Sequence, residues 1–148
     1  MTTPIRIKRL TASAQLPKFA TAGAACFDLH ADLPQSSWVE LGADGTVTIE
    51  TGLAFEIPAG FVMLVYSRSG QGFKDNTRLA NCVGVIDSDY RGQVRVKLTR
   101  DDGQNLTVCH GDRVAQCMVV PLPAVEFVEV EHLSETARGE GGYGSTGR

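Results

Sequence analysis

A chain of 148 residues with 43% hydrophobic and 21% charged side chains has the composition of a single soluble globular domain. Its formal net charge of −3 gives no general attraction for a polyanion such as DNA, so an anionic ligand would have to be held by local donors. No apolar run approaches the roughly 20 residues that a membrane helix requires, and the N-terminus lacks the apolar core of a signal peptide.

Short runs of alternating or β-branched residues, separated by glycine, proline, aspartate and asparagine, predict strands along most of the chain. The predicted strands are 5–10, 46–57, 61–67, 92–99, 105–108, 113–120 and 125–131. Polar and apolar residues alternate strictly over 93–98, which predicts one solvated face and one core face. The alternation over 125–131 slips at Val128, and either a bulge or a strand that changes sheets would account for the slip.

One short helix is predicted at 72–80, although its apolar face is weak. Seven or more short strands in one domain indicate an all-β sandwich, jelly roll or barrel. The cysteines form neither a Cys-x-x-Cys pair nor a zinc-binding spacing, so we expect free thiols, mostly buried on strands, and a reducing cytoplasm. The four are Cys26, Cys82, Cys109 and Cys117.

Two segments in the first half of the chain carry groups that suit a ligand. In residues 24–31 a carboxylate, Asp28, stands among apolar residues, and alone this segment is better explained as a strand with a polar turn residue. Further on, an apolar strand is followed by Arg68, Ser69 and Gly70, which offer a cation, a hydroxyl and an unhindered backbone N–H to phosphate oxygens. For this triplet alone, an ordinary turn at the end of a strand is the better explanation.

Residues 81–92 combine two carboxylates, Asp87 and Asp89, with an apolar stretch, glycines and Tyr90. A carboxylate at the wall of a pocket can act as a general base by polarising a water molecule. A surface hairpin with aspartate-rich turns is the alternative. The amide of Asn81 adds a donor and an acceptor close to the same turn, so the sequence favours a functional site here.

The turn at 111–116 leads into another strand. Asp112 and Arg113 can simply pair with each other as structural ions, which leaves Gln116 as the candidate ligand of this segment.

Residues 138–148 contain five glycines and no aliphatic side chain, so they cannot help to build a core, and we expect them to be mobile without a ligand. They lack the Gly-Lys-Ser or Gly-Lys-Thr of a P-loop. Disorder without function is the usual meaning of such a tail. Here, however, the glycines are interleaved with side chains that can stack on a base or donate to phosphates. These side chains are Arg138, Tyr143, Ser145 and Thr146.

In this order and at these spacings, the five segments resemble the five motifs of the trimeric dUTPase family. The resemblance spans roughly residues 23–148 and is most specific over 84–90 and 138–147. It implies a jelly-roll β domain at 1–137, a C-terminal arm at 138–148 that closes over the site, and a homotrimer whose three active sites are each assembled from all three subunits. The implied reaction converts dUTP to dUMP and pyrophosphate, which keeps uracil out of DNA and supplies dUMP for thymidylate synthesis.

The resemblance also implies roles for individual residues on the base side of the site. Asp87 is the implied general base, which activates the water that attacks the α-phosphorus. Tyr90 lies against the deoxyribose and leaves no room for a ribose 2′-hydroxyl. The hairpin at 81–90 receives the uracil, together with one residue on the returning strand. The residues implied in this base pocket are Asn81, Gly84, Val85, Ile86 and Arg95.

On the phosphate side, the implied groups come from two other subunits. A neighbouring subunit supplies Arg68, Ser69, Gly70 and Gln116, with Ser69 near the oxygen that bridges the α- and β-phosphates. The arm of the third places Tyr143 over the uracil ring, and its phosphate ligands are Arg138, Ser145 and Thr146. The implied cofactor is Mg²⁺, held mainly by the triphosphate and water because it sheds its hydration shell reluctantly. Asp28 is implied to reach the ion only through water.

Some positions depart from the family pattern. Ser67 replaces a usual proline or glycine, and His110 replaces a frequent proline; both are turn positions, so the chemistry is expected to be intact. Tyr143 replaces the commoner phenylalanine and keeps a stacking ring. Residues 74–78 are more polar than the usual helix-forming stretch, which leaves open the local packing and any partner surface there.

Two alternatives remain. A dCTP deaminase shares the fold and the trimer, but the intact hairpin around Asp87 and the complete tail argue against it. The second alternative is a dUTPase-like protein that acts mainly as a regulatory binding partner, with residues 74–78 as the binding surface, although a solvated loop explains that segment better.

Overall fold

The computed structural model of the chain describes residues 2–143 and 145, and in these residues it has ten β-strands and one short helix. The elements are β1 Arg6–Arg9, β2 Phe27–His30, β3 Trp38–Glu40, β4 Thr46–Glu56, β5 Phe61–Tyr66, α1 Ser69–Asp75, β6 Thr77–Leu79, β7 Gly84–Ile86, β8 Gln93–Arg100, β9 Thr107–Cys109 and β10 Arg113–Pro121. The prediction of an all-β, jelly-roll-like fold is confirmed.

Two four-stranded antiparallel sheets form the body of the molecule. Their strand orders are β1-β4-β8-β6 and β2-β10-β5-β7, and β3 and β9 form a separate two-stranded ribbon. The inner faces of the two sheets supply the core. The alternation of β8 shows how the sequence builds this layer, because Val94, Val96 and Leu98 are each 1% exposed while Arg95 and Lys97 face solvent.

The helix prediction at 72–80 was wrong in its position. The helix α1 ends at Asp75, because Asn76 adopts a left-handed conformation with φ 49° and donates its N–H to the Gln71 carbonyl. The chain then continues as strand β6, which pairs with β8 and buries Thr77 and Leu79 at 1% exposure each. Residues 74–78 are therefore not a solvated loop, since their second half is bound into a sheet.

The predicted strand at 125–131 was also wrong, because within the described chain this segment lies outside every sheet. Its apolar side chains face solvent, with Phe127 97% exposed and Val125 73% exposed. An alternating pattern supplies two faces, but a strand also needs a neighbour to take its backbone hydrogen bonds. For the same reason, neither a bulge nor a change of sheet occurs at Val128.

Among the described residues, four strands are absent from the predicted set: β2, β3, β6 and β7. Each has only three or four residues, which is too short for a periodic pattern to stand out. The strand predicted at 105–108 corresponds to β9, which begins two residues later and ends one residue later.

All four cysteines are free, as predicted, but only Cys117 is fully buried, in the core on β10. Cys82 and Cys109 are exposed, so the expectation that the thiols are mostly buried was wrong. Burial raises the pKa of the Cys117 thiol far above its ordinary value, which keeps this sulfur protonated and unreactive. No helix in the described part of the chain is long and apolar enough to cross a membrane.

Candidate active site

A cavity of about 250 Å³ lies beside the hairpin that joins β7 to β8. It is lined by Val85, Ile86, Asp87, Tyr90, Gln93, Val94 and Arg95. Strand β7 is the outermost strand of its sheet, paired on one side with β5. Such an edge presents backbone N–H and C=O groups that no neighbouring strand takes up. The cavity therefore combines a backbone edge with one carboxylate.

The turn after β7 fixes the position of Asp87. The Tyr90 N–H donates to the Asp87 backbone carbonyl at 3.2 Å. The Arg91 guanidinium closes the same turn by donating to the Ser88 carbonyl at 2.7 Å and the Tyr90 carbonyl at 3.0 Å. The Asp87 carboxylate is exposed at the cavity, and no described residue donates a hydrogen bond to it or pairs with it. It is thus an accessible proton acceptor on a well-ordered turn.

Tyr90 is held across the start of β8. Its hydroxyl donates to the Gln93 carbonyl at 3.0 Å. The side chain lies so close to Gly92 that a Cβ there would stand 2.3 Å from the Tyr90 hydroxyl oxygen. Only glycine fits at that position without displacing the ring.

Gly84 and Asn81 are neighbours at the other side of the hairpin. A Cβ on Gly84 would lie 3.1 Å from the Val65 Cβ and 3.8 Å from the Asn81 amide nitrogen. Glycine is therefore the residue that lets β7 approach β5 closely while the exposed Asn81 amide stays beside it. The structure thus brings Asn81, Gly84, Asp87 and Tyr90, with the cavity residue Arg95, into one region.

A second group of predicted residues surrounds Asp28 on β2. The Arg68 Nε donates to Asp28 Oδ1 at 2.9 Å, and an Arg113 guanidinium nitrogen lies 3.4 Å from Oδ2. The side chains of Arg68 and Asp28 are only 20% and 17% exposed. Two guanidinium groups against one carboxylate leave a net positive cluster, which suits an anionic ligand.

Gln116 lies next to this cluster, since it stands opposite both Asp28 on β2 and Tyr66 on β5. Its Nε2 donates to the Ser67 carbonyl at 2.9 Å, immediately before Arg68. Ser69 and Gly70 begin helix α1 and are exposed. The predicted phosphate-side residues of one chain therefore lie together at the junction of β5 and α1.

Arg113 is a member of this cluster that the sequence prediction missed. Asp112 and Arg113 do not pair with each other, because the Asp112 carboxylate accepts the Cys109 N–H at 2.8 Å while Arg113 turns to Asp28. The contact depends on the antiparallel pairing of β10 with β2, which sets Arg113 opposite His30 and which the local sequence does not show.

His30 adds a half-buried, neutral neighbour to the cluster. Burial lowers its pKa, the negative charge of Asp28 opposes this, and the cations Arg113 and Arg68 lower it further. Its Nδ1 atom is buried and has no hydrogen-bond partner among the described residues. The ring is therefore uncharged at neutral pH and leaves the net positive charge to the arginines.

The C-terminal tail is turned on itself as far as the structure describes it. Arg138 Nε donates to the Gly141 carbonyl at 2.6 Å, and the Ser145 N–H donates to the Gly142 carbonyl at 3.0 Å. The ring of Tyr143 is fully exposed. Thr146, which the sequence also assigns to the site, lies outside the described residues.

The predicted site residues thus form three groups in one chain. The cavity beside Asp87 and a polar cavity of about 440 Å³ beside Arg68 have no lining residue in common in the described ranges. The tail residues line neither of them. In those ranges, no three acidic, histidine or cysteine side chains converge to hold a metal ion.

Comparison with known proteins gives consistent matches. A family model described as dUTPase matches residues 12–147. The deoxyuridine 5'-triphosphate nucleotidohydrolase of Dinoroseobacter shibae is 46% identical over 136 residues, which cover 90% of this chain and 88% of that protein.

Solved structures match over nearly the whole chain as well. A mutant of the Staphylococcus bacteriophage 80alpha dUTPase with dUpNHpp superposes with a TM-score of 0.86 at 26% identity, covering 99% of this chain and 100% of that one. A mutant dUTPase of phage phi11 of S. aureus, described with a coordinated structural Mg(II) ion, has a TM-score of 0.76 at 22% identity. The match covers 88% of this chain and 98% of that one, and it shows a shared fold.

Proposed function

Since the chain belongs to the dUTPase family and is a nucleotide hydrolase, we propose that it hydrolyses dUTP to dUMP and pyrophosphate, which keeps uracil out of DNA and supplies dUMP for thymidylate synthesis. The observation that carries the proposal is the exposed Asp87 carboxylate at the rim of a cavity of about 250 Å³ beside an unpaired strand edge. The carboxylate can accept a proton from water, and the strand edge can bind a base.

Asp87 acts as the general base in this proposal. It takes a proton from water as the water oxygen bonds to the α-phosphorus. The bond from the α-phosphorus to the α–β bridging oxygen breaks, and the electron pair leaves with pyrophosphate. The absence of a described cation or donor on the Asp87 carboxylate supports this role, because an unpaired carboxylate keeps its acceptor capacity.

The uracil lies against strand β7 in this proposal. An edge strand can offer its free N–H and C=O groups to the donor and acceptor edge of a base, as it would to another strand. The backbone of Gly84, Val85 and Ile86 faces the edge of the base. The side chains of Asn81 and Arg95 add further contacts to the same edge of the base. The sugar packs on the Tyr90 ring, which its bond to the Gln93 carbonyl holds in place.

The triphosphate is bound by the cluster around Asp28. Arg68 keeps four of its five N–H donors after it bonds Asp28 through Nε, and the Gln116 amide keeps one N–H after it bonds Ser67. Ser69 and Gly70 follow Arg68 directly and add a hydroxyl and a backbone N–H. Charge neutralisation and positioning are the main needs of phosphoryl transfer, and these groups supply both.

The site suits Mg²⁺ only as a complex with the nucleotide phosphates. Both Asp28 carboxylate oxygens already face arginines, and no described cluster offers three protein ligands. A bound ion would therefore be held by phosphate oxygens and water, with Asp28 contacting it through water. When bound, it withdraws negative charge from the phosphates.

We further propose a homotrimer in which each site takes the hairpin from one copy, the Arg68 cluster from a second and the arm from a third. Two features support assembly. In one chain the two cavities share no lining residue in the described ranges. In addition, residues 122–133 expose large apolar side chains that a monomer would leave in water, including Phe127 and Leu133 at 97% and 88% exposure.

In the complete site, the arm of residues 138–148 stacks Tyr143 on the uracil and brings Arg138, Ser145 and Thr146 to the phosphates. The full exposure of Tyr143 supports this role, because the ring makes no packing contact that it would have to give up. Closure of the arm excludes bulk water from the reacting phosphate.

The test is pyrophosphate release from dUTP, dCTP, dTTP and UTP, with Mg²⁺ and with a chelator. Metal-dependent release from dUTP alone supports the reaction, the base pocket and the exclusion of ribose together. No release from dUTP overturns the proposal, and ammonia released from dCTP would then assign a deaminase of the same fold. The mass of the assembly in solution, measured by light scattering, tests the trimer separately.

A further inference from the structure

Strand β4 is irregular where it faces the wall of the base cavity. Glu50 of β4 pairs with Arg95 of β8. The next pair along the two strands is Ala54 of β4 with Gln93 of β8. Three residues of β4, 51–53, therefore stand opposite the single residue Val94. Such a bulge disrupts the ladder locally, so the groups of Val94 need other partners.

Thr51 supplies one of these partners. Its hydroxyl donates to the Val94 carbonyl at 2.6 Å and accepts the Leu53 N–H at 3.3 Å. Its side chain is fully buried, at 0% exposure. Since a buried carbonyl without a donor is costly, this hydroxyl holds β4 and β8 together at the point where the ladder is broken.

The bulge is also anchored by residues outside the β4–β8 pair. Gly52 has φ 64°, and a Cβ there would lie 2.2 Å from an Asp32 carboxylate oxygen, so the position admits only glycine. The Leu10 N–H donates to the Gly52 carbonyl at 2.8 Å. The buried Asp32 is itself held by the hydroxyls of Thr11 and Ser13. The bulge is thus a built feature with one defined geometry.

The same short stretch of β8 lines the base cavity, through Gln93, Val94 and Arg95. Two successive carbonyls in it are held by side-chain hydroxyls, Gln93 by Tyr90 at 3.0 Å and Val94 by Thr51 at 2.6 Å. One hydroxyl comes from the hairpin and the other from β4, the neighbour of β8 in the same sheet. Asp87, in contrast, follows β7, which is positioned by β5.

We propose that Thr51 is a positioning residue for base selection: its hydroxyl fixes the cavity wall formed by residues 93–95 at the width that admits uracil and excludes thymine. This inference rests on the proposed function. Because Thr51 acts on the wall and β5 holds the hairpin that carries Asp87, removing the hydroxyl affects binding and base discrimination more than turnover.

The experiment compares Thr51→Val, which replaces the hydroxyl with a methyl group of similar size, with Thr51→Ser, which keeps it. Thr99→Val is the control, because Thr99 pairs with Thr46 at the far end of the same β4–β8 ladder and its hydroxyl donates to the carbonyl of Gly45, just before β4, at 3.0 Å and away from the cavity. KM and kcat are measured for dUTP and dTTP in all forms. If Thr51→Val does not fold, Thr51→Ser against Thr51→Ala isolates the same hydroxyl.

We expect loss of the hydroxyl to raise the KM for dUTP and the dTTP-to-dUTP ratio of kcat/KM by about tenfold each, with kcat for dUTP within about twofold. Thr51→Ser and Thr99→Val should stay close to the native enzyme. An unchanged KM and ratio in Thr51→Val, or equal changes in Thr99→Val, would overturn the inference. If the native chain does not hydrolyse dUTP, the proposed function itself is wrong. Failure of the proposed function is therefore distinguishable from failure of the inference about Thr51.

Discussion

The hairpin cavity and the C-terminal tail both carry predicted site residues, but the chain positions them in opposite ways. Around the cavity, β5 pairs with β7, the Thr51 and Tyr90 hydroxyls hold carbonyls of β8, and a Cβ on Gly84 or Gly92 would crowd a neighbouring side chain. In the described part of the tail, the hydrogen bonds join only residues 136–145 to one another.

This difference shows that the hairpin cavity is preorganised by strand pairing and buried hydrogen bonds, whereas the tail is not. A base pocket must hold its width before the ligand arrives, and hydrogen bonds inside a sandwich can do this. A closing arm must let the ligand in and then cover it, so its site contacts have to form afterwards. The following changes test this division, from the largest expected effect to the smallest.

The largest effect is expected from Asp87→Asn, which removes the proton acceptor and preserves the shape of the hairpin. Turnover of dUTP should fall by about 10³-fold, in the range expected for loss of a general base. The Kd for dUTP, measured by calorimetry, should change little because the side chain keeps its size. Turnover near that of the native protein would remove Asp87 from the role of base.

Deleting residues 138–148 should leave a folded protein of unchanged melting temperature, because the described tail contributes no hydrogen bond to the sandwich. We expect kcat/KM for dUTP to fall by roughly 10²-fold, as site closure and the phosphate donors are lost. If the truncated chain keeps its native kinetics, the tail has no part in the site and the contrast with the hairpin has no functional meaning.

The smallest effect comes from adding one methyl group to a glycine in each region. Gly92→Ala would place a Cβ 2.3 Å from the Tyr90 hydroxyl oxygen, so the ring must move, and we expect KM for dUTP to rise by about tenfold. At Gly142 the nearest atom to such a Cβ is 4.0 Å away, so Gly142→Ala should leave the melting temperature unchanged. Equal tolerance of both substitutions in KM and melting temperature would contradict the rigidity assigned to the hairpin.

Much of the fold follows from local pattern. The strict alternation over 93–98 correctly separates the core residues Val94, Val96 and Leu98 from the exposed side chains of β8. The predicted strand at 46–57 likewise corresponds closely to β4, Thr46–Glu56. The pattern does not show the bulge inside β4, because a bulge is defined by the partner strand rather than by the residues of its own strand.

The misplaced elements have the same explanation. Residues 77–79 belong to a strand because β8 offers an edge on which Thr77 and Leu79 become buried. Residues 125–131 have a better alternation, yet no described strand lies beside them. Intrinsic preference for extended structure is weak, and pairing decides the outcome.

By itself, the sequence determined the all-β class, the core face of its long strands and the segments that carry reactive groups, because alternation, turn residues and side-chain chemistry are local properties. Tertiary structure alone decided which groups meet. The pairing of β10 with β2 brings Arg113 to Asp28 from 85 residues away along the chain. The pairing of β4 with β8 brings the Thr51 hydroxyl to the wall of the hairpin cavity. Contacts between distant strands depend on register, and register is set by the packing of whole sheets, which no short segment encodes.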